Sequence, residues 1–223
     1  GQNTTFVNPV EPELAITRVE DANLSGGHAL ARWQRTTGDR SNTVLQAYYD
    51  HTRRDELSFR ESRHTVDIDF QQRFPLQIPF VPFSQDIVWG GGYRWTMDHL
   101  GGGLPIFFDP ARRNLQTGNV FAQTDIPLIE DRLKLAVGIK FLDNTYAHAN
   151  FLPNARLLWT PDAKQSIWAS ATRSIRLPSR FERDGNQLIR DGAEFIRLIS
   201  NPHLTSETLW GFETGYRRQV TSD

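Results

Sequence analysis

The sequence predicts an all-β fold of about nine antiparallel, up-and-down strands. Apolar and polar residues alternate with period two along most of the 223 residues. Helical periodicity is nearly absent, and clusters of Gly, Pro, Asn and Asp punctuate the alternation. Period two puts successive side chains on opposite faces of a sheet, so each run specifies a face as well as a strand.

Taken in order, "GHALARWQRT" sets Ala29, Ala31 and Trp33 against His28, Arg32 and Gln34. "TVLQAYYDHT" sets Leu45, Ala47 and Tyr49 against Gln46, Tyr48 and Asp50. In "HTVDIDFQQRF", Val66, Ile68 and Phe70 oppose Asp67, Asp69 and Gln71. "DIVWGGGYRW" places Ile87, Trp89, Tyr93 and Trp95 opposite Val88, Gly90, Gly92 and Arg94. "NVFAQTDI" places Val120, Ala122 and Ile126 opposite Gln123 and Asp125. "RLKLAVGIKF" runs Leu133, Leu135, Val137, Ile139 and Phe141 against Lys134, Gly138 and Lys140. "NARLLWT" and "SIWASATR" add two further strands. The last comes in "NPHLTSETLWGFETGYRRQ", where Trp210, Phe212, Thr214 and Tyr216 face away from Gly211, Glu213, Gly215 and Arg217.

Composition narrows the function. The net charge is −1, which disfavours a nucleic-acid partner held by bulk charge. The absence of cysteine removes disulfides, zinc–thiolate sites and thiol nucleophiles. No apolar run is long enough for a membrane helix, but barrel strands leave only a weak hydropathy signal. The start, "GQNTTFVNPVEPE", lacks the basic and apolar stretches of a signal peptide. No catalytic motif is present, so no enzyme and no cofactor are expected.

Two architectures fit the alternation: a soluble sandwich with its apolar face against a second sheet, or a membrane barrel with that face in lipid. Short connections ("TGDRSN", "PLIED", "PDAK") tend to alternate with long ones, as in a barrel whose turns lie at one end and loops at the other. On this reading 96–117 and 174–205 are outer loops and 127–131 and 161–164 inner turns. "PLQIPFVPFSQ" is too long for the turn expected there. The tryptophans at 33, 89, 95, 159, 168 and 210 fall within strands, which suits a headgroup-level girdle and, equally, ordinary strand propensity.

The final stretch carries a resemblance. "NPHLTSETLWGFETGYR" resembles the signature of TonB-dependent outer-membrane receptors, with Asn201, Pro202, Leu204, Glu207, Glu213, Gly215, Tyr216 and Arg217 in register. "LPNARLLWTPDAKQSIWASATRSIRLPSRFE" is similar to the preceding hairpin of that family at Pro153, Ala155, Leu157, Trp159, Pro161, Arg173, Arg176, Pro178 and Ser179. "NVFAQTDIPLIEDRLKLAVGIKF" follows the next hairpin upstream but carries Thr124 where an acid is usual and Lys140 for arginine.

The resemblance implies a transmembrane β-barrel segment, about nine strands of a larger, roughly 22-stranded barrel. Residues 1–223 would form one partial barrel domain, with the plug domain lying outside the chain. It implies a Gram-negative outer membrane, lipid around the wall, and TonB acting through the missing plug. The cargo would be a scarce nutrient such as an iron–siderophore complex or cobalamin. The competing readings are a passive outer-membrane porin and a soluble β-sandwich that binds carbohydrate.

The site residues then divide into two sets. Asp67, Asp69, Arg94, Gln123, Asp125, Lys134, Arg156, Glu213 and Arg217 are expected to line the lumen. Gly90, Gly92, Gly211 and Gly215 would let a plug backbone approach the wall. Arg173, Arg176 and Arg180, with His99 and His203, are candidate substrate contacts near the outer loops. The arginine run "TRSIRLPSRFERDG" reads either as a solvated loop base or as an admission patch for an anionic iron chelate. Asp67 and Asp69 read as a solvated wall rather than a metal pair.

Overall fold

The computed structural model describes residues 2–7, 16–56, 59–77, 79, 84–102, 106–191 and 194–220. Its centre is one nine-stranded sheet. The strands are β3 (Asn23–Thr37), β4 (Ser41–Asp55), β5 (Phe59–Leu76), β6 (Gln85–Gly102), β8 (Arg112–Ile129), β9 (Leu133–Asn144), β10 (Asn150–Asp162), β11 (Gln165–Arg176) and β14 (Glu207–Arg218). Each pairs antiparallel with its neighbour in the sheet, and the spatial order follows the chain order throughout. The expected strand number and up-and-down topology are both present. A separate hairpin, β1 (Gln2–Val7) with β2 (Ile16–Asp21), precedes them; its pattern does not stand out in the sequence.

The connections follow the expected alternation in part: those after β6 and β11 are long, but β4–β5 and β9–β10 at the same end are joined by only three and five residues. Strands β5, β6 and β8 each run 18 residues, well past the 9–11 or so that cross a bilayer. Much of the segment expected as the loop 96–117 is therefore strand, because β6 and β8 go on pairing as far as His99 and Arg112. The apparent long connection "PLQIPFVPFSQ" shortens for the same reason: Pro75 and Leu76 are still paired, with Asp86 and Gln85. Hairpin turns at the other end use left-handed residues, Gly38 at φ 69° and Asp131 at φ 56°.

The long connections at the loop end fold on each other. β7 (Ile106–Phe108), between β6 and β8, pairs with β12 (Gly185–Asp191), which pairs with β13 (Glu194–Leu198). A one-turn helix, α1 (Arg180–Asp184), leads into β12. These elements form a three-stranded cap from segments some 80 residues apart in sequence.

Among the described residues few apolar side chains are buried; Leu100 and Tyr146 are the largest of them. No second layer of described residues covers the apolar face, and Phe212 is 76% exposed. A sandwich would pack a second sheet against that face.

Candidate functional site: the polar face and its loop anchor

Cross-strand partners share a face, so the register assigns faces directly. Asp67 lies opposite Arg94, and Arg94 opposite Thr117. Following the ladder, Asp69, Gln123, Asp125, Lys134, Arg156, Glu213 and Arg217 all fall on this same face. Ile68, Trp95, Leu135 and Phe212 fall on the other. The polar face is cross-linked by ion pairs. Arg94 Nε donates to Asp67 at 2.6 Å, and Lys134 Nζ lies 2.5 Å from Asp125. Glu213 and Arg217 make no ion pair among the described residues. Asp67 thus serves a wall salt bridge.

Glycines on this face have a different role from the one expected. A Cβ on Gly90 would lie 2.2 Å from the Phe70 carbonyl oxygen, and one on Gly92 would lie 2.3 Å from Asp69. A Cβ on Gly215 would meet the Trp168 indole at 2.5 Å. These glycines make room for neighbours in the wall itself; only Gly211 opens onto free space. Trp168 is also the tryptophan that leaves the girdle pattern. It lies on the polar face over Gly215, with the Arg156 guanidinium 5.1 Å from its ring.

At the loop end the polar residues converge. Pro178 and Ser179 stop β11 and start α1. Ser179 caps the helix: its Oγ accepts the Glu182 N–H at 3.2 Å, and Glu182 Oε2 accepts the Ser179 N–H at 2.7 Å. This reciprocal capping box fixes the helix start. It also turns Arg180 and Asp184 into a cluster with the buried Asp98 of β6 and Tyr146 and the half-buried Arg113 of β8. Arg180 Nε donates to both Asp98 oxygens at 3.1 and 3.0 Å, and its Nη1 donates to Asp184. Arg180 Nη2 donates to the Pro110 carbonyl at 2.9 Å. Arg113 grips Asp184 through Nε at 3.2 Å and Nη2 at 2.5 Å. Tyr146 Oη donates to Asp184 at 3.1 Å. The carboxylates of Asp98 and Asp184 balance the two guanidiniums.

The electrostatics follow from this enclosure. Burial pushes the Asp184 carboxyl up, but the Arg113 and Arg180 hydrogen bonds and charges more than reverse it, leaving it below the ordinary carboxylate range. Burial, together with the Asp184 charge, pushes the Tyr146 phenol up to about 12. Tyr146 therefore acts as a donor at all physiological pH.

The candidate contacts separate accordingly. Arg176 is spent on Glu207, at 2.6 Å, and Glu182, at 2.8 Å. Arg183 donates to the Tyr146 and Leu204 carbonyls at 3.0 and 3.1 Å. Arg180 is buried. Arg173 lies opposite Trp210, on the apolar side of the sheet, and donates to the Phe151 carbonyl. Within the arginine run Arg176 and Arg180 are paired with carboxylates, whereas Arg173 and Arg183 donate to backbone carbonyls. His203 is exposed, its backbone N–H held by Asn201 Oδ1 at 3.0 Å. His99 sits on the apolar face opposite Arg112. Asp98, Arg113, Tyr146 and Asp184 were missed by sequence reasoning; the Ser179–Glu182 spacing was the one available sign.

The sequence profile of the "TonB dependent receptor-like, beta-barrel" family matches residues 14–223. The chain belongs to this TonB-dependent receptor family. Solved structures agree on the fold. The siderophore receptor PirA from Pseudomonas aeruginosa superposes with a TM-score of 0.73 at 16% identity, covering 90% of this chain and 36% of that one. PirA from Acinetobacter baumannii gives 0.67 at 12% identity, with coverages of 96% and 35%. A mutant of the ferric enterobactin receptor PfeA from Pseudomonas aeruginosa gives 0.67 at 14%, with 87% and 33%. The chain therefore spans about a third of the length of these solved receptors. No curated protein matches it significantly. The family and the fold are those of receptors and transporters.

Proposed function

We propose that this chain is part of the wall of an outer-membrane TonB-dependent transporter in a Gram-negative bacterium. The observation that carries the reading is the single-layer sheet: one face apolar and uncovered, the other polar and ion-paired, in a chain of this family. The apolar face meets lipid, and the face of Asp67, Arg94, Glu213 and Arg217 lines the lumen around a plug. TonB acts through that plug, which lies in the remainder of the receptor. The cargo is an iron–siderophore complex, a reading supported by superposing proteins described as siderophore receptors and as a ferric enterobactin receptor. Substrate contact falls to exposed loop groups, His203 among them, since Arg176 and Arg180 are committed to carboxylates.

The test is uptake of a radiolabelled ferric siderophore by cells carrying the full-length receptor. Uptake should stop when TonB is deleted or the proton-motive force is collapsed. Uptake that survives both treatments would favour a passive porin and overturn the proposal.

A further inference from the structure

The apolar face ends at the loop end of β4, β5 and β6, and on β8 it gives way earlier, to Gly118, Gln116 and Asn114. On β6 the outward row runs Ile87, Trp89, Gly91, Tyr93, Trp95, Met97. Those ten or so steps make about 33 Å of strand, which at a tilt of about 40° covers about 25 Å of height, the thickness of a barrel's apolar band. Basic residues begin at that edge, in successive cross-strand rows. His51 and His64 face each other in the row of Met97, with ring centroids 4.2 Å apart. The next row reads Arg53, Ser62, His99, Arg112 from β4 to β8.

Arg53 and Arg112 are exposed and make no hydrogen bond or ion pair with any described residue. This contrasts with Arg40, Arg54, Arg60, Arg63, Arg73 and Arg94, each held by a carboxylate. The row spans three strand spacings, about 14 Å, so both guanidiniums can lean toward one group lying over Ser62 and His99. A cleft of about 340 Å³ opens there, lined by Ser62, His64, Met97, His99, Arg112 and Asn114 together with the inward Asp98 and Arg113. Tyr49 Oη lies 2.9 Å from His64 Nδ1, which leaves the other ring nitrogen of His64 without a described partner.

We propose that this row is a binding site for the phosphate of a phosphorylated lipid headgroup in the leaflet on the long-loop side. The inference rests on the membrane reading of the apolar face. Position selects the lipid: the uncompensated cations stand on the outward face, immediately above the band that acyl chains cover, where a lipid phosphate lies. The Arg53 and Arg112 forks supply charge-assisted hydrogen bonds to phosphate oxygens, and His99 and Ser62 supply shorter-range donors.

The experiment uses the full-length receptor, reconstituted into phosphatidylcholine liposomes and, separately, titrated in detergent micelles by native mass spectrometry. The probes are phosphatidic acid and phosphatidylcholine of matched chains. The wild-type receptor should bind phosphatidic acid about tenfold more tightly, and R53Q/R112Q should lose that preference while floating with the liposomes as wild type does. Equal binding of both lipids by a wild-type receptor that floats normally overturns the site and leaves the membrane reading standing. Failure of the wild-type receptor to float overturns both. Full competition by millimolar inorganic phosphate overturns the lipid assignment in favour of a free-anion site.

Discussion

Replacing Asp184 by Ala in the full-length receptor should release the loop cap without unfolding the wall. Asp184 is fully buried and accepts hydrogen bonds from Arg113, Arg180 and Tyr146. Without it, the buried Arg180 and the half-buried Arg113 face Asp98 alone. Removing one partner of a buried ion pair costs about 3–5 kcal/mol, because the remaining charge stays desolvated and unpaired. The opening equilibrium of the cap should rise by about two to three and a half orders of magnitude, since each 1.4 kcal/mol is a factor of ten. Amide hydrogen exchange reads this directly. The Asp109 N–H, bonded to the Asp184 carbonyl at 2.8 Å, and the Asn201 N–H, bonded to the Glu182 carbonyl at 3.0 Å, should lose protection. Amides in the β8–β9 ladder should not change. Glu207→Gln, which disturbs only an exposed pair, is the control and should leave exchange nearly unaltered. If Asp184→Ala leaves both reporter amides as protected as in wild type, the cluster does not hold the cap and the reasoning fails.

The same cluster fixes a pH window. The Asp184 carboxyl is depressed, so its contribution is complete above the unfolded carboxylate value near 4 and disappears as pH falls through its lower folded value. The Tyr146 phenol is raised to about 12, so its contribution is complete below about 10 and disappears as pH climbs through about 12. A spin label on His203→Cys should keep constant mobility between pH 5 and 9 and gain mobility only toward those extremes; mobility rising near pH 6 would contradict the assignment. Cysteines at Ile68 and Leu135 should react only with lipid-soluble reagents, and those at Asp67 and Lys134 only with aqueous ones, the reverse pattern meaning that the faces are exchanged. Gly211→Ala should be silent, whereas Gly215→Ala must displace Trp168 and should shift its fluorescence; identical spectra would remove the packing argument. The 223-residue chain alone should aggregate in detergent-free buffer, and a monomeric species with a cooperative thermal transition would refute this.

What was legible in the sequence was whatever period two encodes. Val66, Ile68 and Phe70 against Asp67, Asp69 and Gln71 fixes a strand and its two faces locally, and short turns such as that at Gly38 fix the neighbour. Strand ends were less legible. Alternation fades where β6 and β8 leave the apolar band, yet the backbone ladder continues to the His99–Arg112 pair. The loop anchor was least legible. Its members, Asp98, Arg113, Tyr146, Arg180 and Asp184, come from separate segments, and a buried ion cluster leaves no periodic trace. Arg180 and Arg183 looked like free positive charge because their compensating groups, Asp98 and the Pro202 and Leu204 carbonyls, are remote or are backbone. The three-stranded cap was hidden for the same reason, since β7 is three residues long and pairs far down the chain.

The two faces of the sheet are unequal in what they can do unaided. The polar face satisfies itself: Arg94–Asp67, Lys134–Asp125 and Arg73–Asp86 cross-link adjacent strands, and Gly90, Gly92 and Gly215 let side chains lie flat on the wall. The apolar face has no such recourse. Leaving Val66, Ile68, Phe70, Leu133, Leu135, Val137 and Ile139 in water forfeits on the order of 10 kcal/mol at about 25 cal/mol per Å². That equals the whole stability of a typical domain, about 5–15 kcal/mol. Nothing in the described fold covers those side chains, and the edge strands β3 and β14 leave backbone groups that a bilayer would not tolerate open. Lipid against the apolar face and further strands on both edges satisfy these two demands together. A closed barrel is therefore the assembly that this sheet's chemistry asks for.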